Sequence, residues 1–122
     1  MKPIDQDKVG LDGNCFNACL ASILELSLPE VPDYRDKGKW LLQYNDWLLN
    51  YGLTLIPLTY GSWVPKGYSI LGGRSARGLD HAVVAWNGKM IHDPHPDKTG
   101  LETFTDWLVF SIIHPNKMVR VA

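Results

Sequence analysis

Apolar residues along this chain fall first into two helix-like segments and then into a series of short strand-like runs. From Cys15 to Leu26 almost every position is apolar, and only Asn17, Ser22 and Glu25 form a narrow polar stripe. That segment is predicted to be a buried helix, entered through the turn Asp12-Gly13-Asn14 and ended before Pro29. Leu28-Pro29-Glu30-Val31-Pro32 carries too much proline for anything but a connector. From Asp36 to Tyr51, Trp40, Leu41, Tyr44, Trp47, Leu48 and Tyr51 recur every three or four residues. They predict an amphipathic helix with its aromatic stripe turned to the core, closed by Gly52.

The second half changes period. Leu53 to Thr59 and Tyr68 to Leu71 read as strands, and Gly72 to Gly78 as a loop. His81 to Trp86, Asn87-Gly88 and Lys89 to Asp93 read as a hairpin, and Trp107 to Ile113 as a last strand before a short tail. Links between the strands are too short for helical crossovers, so the predicted class is α+β with an antiparallel sheet, residues 1–122 forming one domain.

Composition narrows the function. Hydrophobic residues make up 45% of the 122 residues and charged residues 20%, enough for a core and against disorder. A formal net charge of -1 with scattered basic residues predicts no nucleic-acid partner. Residues 1–10 lack the apolar run of a secretory signal and no later stretch has the length of a membrane span, so a soluble, cytoplasmic protein is expected. Cys15 and Cys19 lie one helical turn apart, poorly placed for a disulfide, and predict free thiols in a reducing compartment.

Cys15 is the first candidate for chemistry. In the first turn of a helix, the unpaired backbone N–H groups and the helix dipole favour a thiolate and can also donate to an oxyanion. Cys19, one turn deeper among apolar residues, fits a structural role. His81 opens a strand, where its backbone is held while its ring can serve as a base, and Asp93 closes the returning strand, where a carboxylate can fix the imidazole tautomer. Each of the three also has an ordinary structural reading: a small buried residue, a strand histidine, a turn former. His81, His92, Asp93 and His95 could serve as metal ligands together with Cys15, but they lack paired zinc spacing, and adjacent strand residues point to opposite faces. No metal or cofactor is expected. Arg74 and Arg77 read as surface cations or contacts for an acidic group, and Tyr60 and Trp63 as groove wall or core.

The hairpin turn decides whether His81 and Asp93 can meet. A two-residue Asn87-Gly88 loop pairs Trp86 with Lys89 and, counted outward, sends His81 and Asp93 to opposite faces. A three-residue Trp86-Asn87-Gly88 loop pairs His81 with Asp93. Catalysis requires the two to share a face, so the three-residue loop is expected.

Gly13-Asn14-Cys15-Phe16-Asn17-Ala18-Cys19-Leu20-Ala21, with His81-Ala82-Val83-Val84 and Ile91-His92-Asp93-Pro94, resembles papain-like cysteine peptidases of the bacteriocin-leader-processing (double-glycine) type. Asp12-Gly13-Asn14-Cys15 is also similar to the active-site start of ovarian-tumour-type deubiquitinases, over one loop only. The resemblance implies a papain-like fold and a Cys15-His81-Asp93 triad. It also implies a peptidase or isopeptidase working through a thioester on a peptide or protein substrate. An acyltransferase or deamidase using the same triad, or a papain-fold binding module that no longer turns over, are the alternatives. The pattern departs at Val9, six residues before the nucleophile, where such enzymes carry a glutamine. Gln6, Gly13 and Asn14 are the remaining candidates for oxyanion or substrate contacts.

Overall fold

The computed structural model describes residues 1–35 and 38–115. Two helices, α1 (Cys15–Leu24) and α2 (Trp40–Leu48), precede five strands: β1 (Leu53–Thr59), β2 (Tyr68–Arg74), β3 (Asp80–Trp86), β4 (Lys89–His92) and β5 (Thr103–Ile112). All pairings are antiparallel, in the order β1-β5-β2-β3-β4, so the fold is mixed helix plus antiparallel sheet.

α1 is buried along nearly its whole length, as its apolar run requires. It stops two residues before the predicted end, because Glu25 turns left-handed with φ 59°. Its polar stripe is inside, not outside. Ser22 Oγ donates to the Ala18 carbonyl at 2.7 Å and accepts the Ile4 amide at 2.9 Å, while the Tyr44 hydroxyl of α2 donates to Asn17 Oδ1. Those buried polar groups are thus satisfied and tie two neighbouring segments to the helix. α2 runs into a 3-10 turn, Leu49–Tyr51, ended by Gly52 at φ 71° as the glycine predicts. The predicted helix start at position 36 lies outside the described residues, as does the tail from position 116.

One core lies between the helices and the sheet, where Cys19, Leu20, Ile23, Tyr44 and Leu48 meet Leu55, Ile70, Val84 and Leu108. The opposite sheet face buries Leu71, Val83, Ala85 and Trp107 against Leu101. Because β3 is buried on both faces, it reads as a continuous apolar run.

Two expectations about the strands change. Gly72 and Gly73 belong to β2 and not to a loop, and β5 starts at Thr103 instead of Trp107. Both changes have one cause: β5 passes so close to β2 that a Cβ on Gly73 would lie 1.9 Å from the Thr103 carbonyl oxygen. The hairpin turn is the two-residue Asn87-Gly88 loop, with φ 50° and 82° and Trp86 opposite Lys89, so the expected three-residue loop is wrong. The register nonetheless shifts within β4: Ala85 faces Met90, but Val84 faces His92, leaving Ile91 as the extra residue of a bulge. One position on, Asp93 falls on the side of Val83 and His81.

The glycine contacts separate two kinds of substitution. Gly73→Ala drives a methyl into backbone and is expected to cost about 3 kcal/mol or more. Gly78→Ala, at φ 79° with open space around it, should cost only about 1 kcal/mol of left-handed strain. Denaturant unfolding of the two variants checks this, and similar losses would contradict the close β2–β5 approach.

Candidate active site

The bulge at Ile91 brings His81 and Asp93 together. Imidazole Nε2 lies 2.7 Å from Asp93 Oδ1, and both side chains are almost fully buried. Asp93 is a hub: Oδ1 also accepts the His95 amide at 2.9 Å, and Oδ2 accepts the Gly100 amide at 2.7 Å. Burial alone would push this carboxyl up, but the His81 bond and the two amides prevail and hold it below the ordinary carboxylate value. An ionised carboxylate has no proton to give, so His81 Nε2 must be the donor, and the neutral ring carries its free lone pair on Nδ1.

His92 points the other way. Paired with Val84 on the helix side, it donates Nε2–H to the Ile4 carbonyl at 2.8 Å. It thereby pins the N-terminal segment, which the Gln6 amide also anchors to the Pro94 carbonyl at 3.0 Å.

Cys15 stands at the start of α1, where the backbone N–H of Ala82, the residue after His81, pulls its thiol down. Cys15 and His81 border two cavities in common. The larger, about 470 Å³, has an apolar wall of Phe16, Trp40, Ile70 and Leu108, with Asp80 and Asp106 on its rim. The smaller, about 70 Å³, is bordered by Gln6, Gly13, Arg77 and His95. Trp40, expected in the core, thus lines the larger cavity, its ring edge-on to Phe16 at 5.4 Å. Tyr60 lines a separate cavity, stacked on Phe104 and Trp107, and Trp63 is exposed.

The thiol and the imidazole are both held neutral. Burial pushes Cys15 up, against the backbone N–H groups of Ala82, Phe16 and Cys15 itself and the Arg35 guanidinium, which pull it down. The expected thiolate stabilisation at the helix start is present but outweighed by desolvation. Burial likewise pushes His81 below its ordinary value of 6.5, and Asp93 restores only part of the loss. Cys19, fully buried, is pushed well up, first by desolvation. Both cysteines are free thiols.

Of the candidate oxyanion contacts, Asn14 is committed elsewhere. Its Nδ2 donates to Asp7 Oδ1 at 2.7 Å and its Oδ1 accepts the Lys8 amide at 3.1 Å, closing the loop ahead of α1. Gln6 borders the smaller cavity with Cys15, and Nε2 spends one of its two protons on the Lys8 carbonyl at 2.7 Å. Gly13 is boxed in, since a Cβ there would meet the Gly10 carbonyl oxygen at 3.0 Å and Gln6 Nε2 at 3.2 Å.

The sequence gives little sign of Arg35, yet its Nη1 donates to the carbonyls of Asp12 and Gly13 and clamps the loop before Cys15, while Asp33 holds the other side of the guanidinium. Its position just after the proline connector was the available signal. Arg77, expected as a surface cation or an acid contact, pairs with Asp97 at 2.5 Å. Among the described residues, no group of three or more His, Cys, Asp or Glu side chains could hold a metal ion, and no helix is long and apolar enough to cross a membrane.

The His81–Asp93 bond makes a titration prediction. A folded pKa below the unfolded value of about 6.5 means that the unfolded chain takes up the proton first. The contribution of His81 to stability is therefore complete above pH 6.5 and is lost as pH falls from there towards the folded value. NMR titration should place His81 below 6.5, and Asp93→Asn, which removes the raising influence, should move it lower still. A higher value in Asp93→Asn would contradict the arrangement. Comparison of this chain with protein-family models, curated proteins and solved structures finds no match.

Proposed function

We propose that this protein is a papain-like cysteine hydrolase, a peptidase or isopeptidase that cleaves an amide bond through a thioester on Cys15. The observation that carries the reading is the buried His81–Asp93 bond beside two cavities that Cys15 and His81 border together. This is the nucleophile, base and orienter arrangement of acyl transfer, in the chain order Cys, His, Asp.

Since both partners rest neutral, attack and proton transfer go together. The Cys15 proton passes to His81 Nδ1 as sulfur bonds to the substrate carbonyl carbon, and the π pair moves onto oxygen. The backbone N–H of Cys15 and the second Nε2 proton of Gln6 are the donors for that oxyanion. Collapse breaks the C–N bond, and His81 Nδ1–H protonates the departing amine. Water then attacks the thioester, giving its proton to His81, which returns it to the leaving sulfur. Throughout, Asp93 stabilises the imidazolium without taking its proton. The larger cavity, with its Phe16 and Trp40 wall, is the binding cleft for the acyl portion. A protein or peptide is the substrate class; an amine acceptor in place of water would make the same intermediate an acyl transfer.

The two cysteines should behave differently. Iodoacetamide followed by peptide mapping should label Cys15 and spare Cys19. Cys15→Ala should abolish labelling and turnover with little loss of stability. Cys19→Ala should keep both and cost about 1 kcal/mol or more. Equal labelling of the two thiols would overturn the assignment and favour a binding module built on the same fold.

A further inference from the structure

The smaller cavity beside Cys15 is bordered by a histidine that the proposed triad does not use, His95. The cavity volume, about 70 Å³, leaves room for a substrate carbonyl oxygen. Gln6 and His95 both border it with Cys15 and His81. The His95 ring stands edge-on to the His81 ring, centroids 6.1 Å apart at 84°, and its side chain is only 13% exposed.

Local hydrogen bonding fixes where the proton of His95 sits. Its Nδ1 accepts the Asp97 backbone N–H at 3.1 Å, so the neutral ring carries its proton on Nε2. The Asp97 carboxylate also lies 3.1 Å from Nδ1, but it is occupied by the Thr99 amide and hydroxyl at 3.0 Å each and by Arg77 at 2.5 Å. The distal Nε2–H is thus a donor, and it has no hydrogen-bond acceptor among the described residues. Asp93, through the His95 amide, holds this ring and the catalytic imidazole on a single carboxylate oxygen.

We infer that His95 is a further catalytic residue, whose Nε2–H joins Gln6 and the Cys15 amide in donating to the oxyanion of the tetrahedral intermediate. This rests on the hydrolase reading above. It adds a third donor to the two named above, from the same small cavity. Asp97 and Arg77 act behind it as positioning residues.

Two reactions of Cys15 separate this role from a structural one. Alkylation by iodoacetamide needs the thiol and His81 but no oxyanion donor, whereas acylation by p-nitrophenyl acetate passes through a tetrahedral oxyanion. His95→Phe keeps an aromatic ring against His81 and removes the donor. It should slow acylation about 10²-fold while leaving the alkylation rate within about twofold of wild type. His95→Leu reads the same ratio should the phenylalanine disturb folding. Unchanged acylation overturns the inference, and so does an equal fall in both reactions, which would make His95 a support for the dyad. Wild-type protein that p-nitrophenyl acetate fails to acylate at Cys15 sinks the hydrolase reading itself, and this inference with it.

Discussion

Asp93 is the residue on which the site depends, and it is in place because β4 holds one residue too many. With an unbroken two-residue hairpin, Asp93 would face away from His81, and His92 would lie nearer the site. Ile91 bulges out, the side-chain alternation flips once, and a single carboxylate then accepts from His81, His95 and Gly100. The same flip sends His92 to the helix side, where it ties down the N-terminal segment that carries Gln6. One register shift thus sets both the candidate base and the candidate oxyanion donor, from opposite faces of the hairpin.

Burial is the second constraint. A thiol at a helix start gains from nearby N–H groups, but Cys15 is far enough inside that desolvation wins. His81 is pushed the other way by the same cause, so proton transfer between them exchanges two neutral groups for two charges in a site of low dielectric. Such a pair is quiet until a polar substrate group and fixed donors lower the cost of separating charge. That makes the donors around the smaller cavity matter more than they would beside a preformed thiolate.

Much of the architecture was legible because burial and sequence period agree. The apolar run of α1 and the two-faced apolar run of β3 could hardly be anything else, and Cys15, His81 and Asp93 stand out by residue type at element ends. What could not be read depends on contacts between distant segments. Gly72-Gly73 looks like a loop until β5 is known to press on it. The bulge has no glycine to announce it, since Met90-Ile91-His92 is ordinary strand sequence. Gln6 stands nine residues before Cys15, and only the loop folded around Asn14 returns it to the cavity beside Cys15. His95 was visible only as one ligand candidate among several, because the role proposed for it depends on which ring nitrogen the Asp97 amide occupies.

The most direct measurement is the rate at which p-nitrophenyl acetate acylates Cys15 at pH 7 in His81→Ala, compared with wild type, with the adduct located by peptide mass. Removal of the general base should slow acylation by about 10²-fold or more while the wild-type adduct sits on Cys15 alone. Acylation at an unchanged rate, or an adduct on another residue, would contradict a Cys15–His81 catalytic pair.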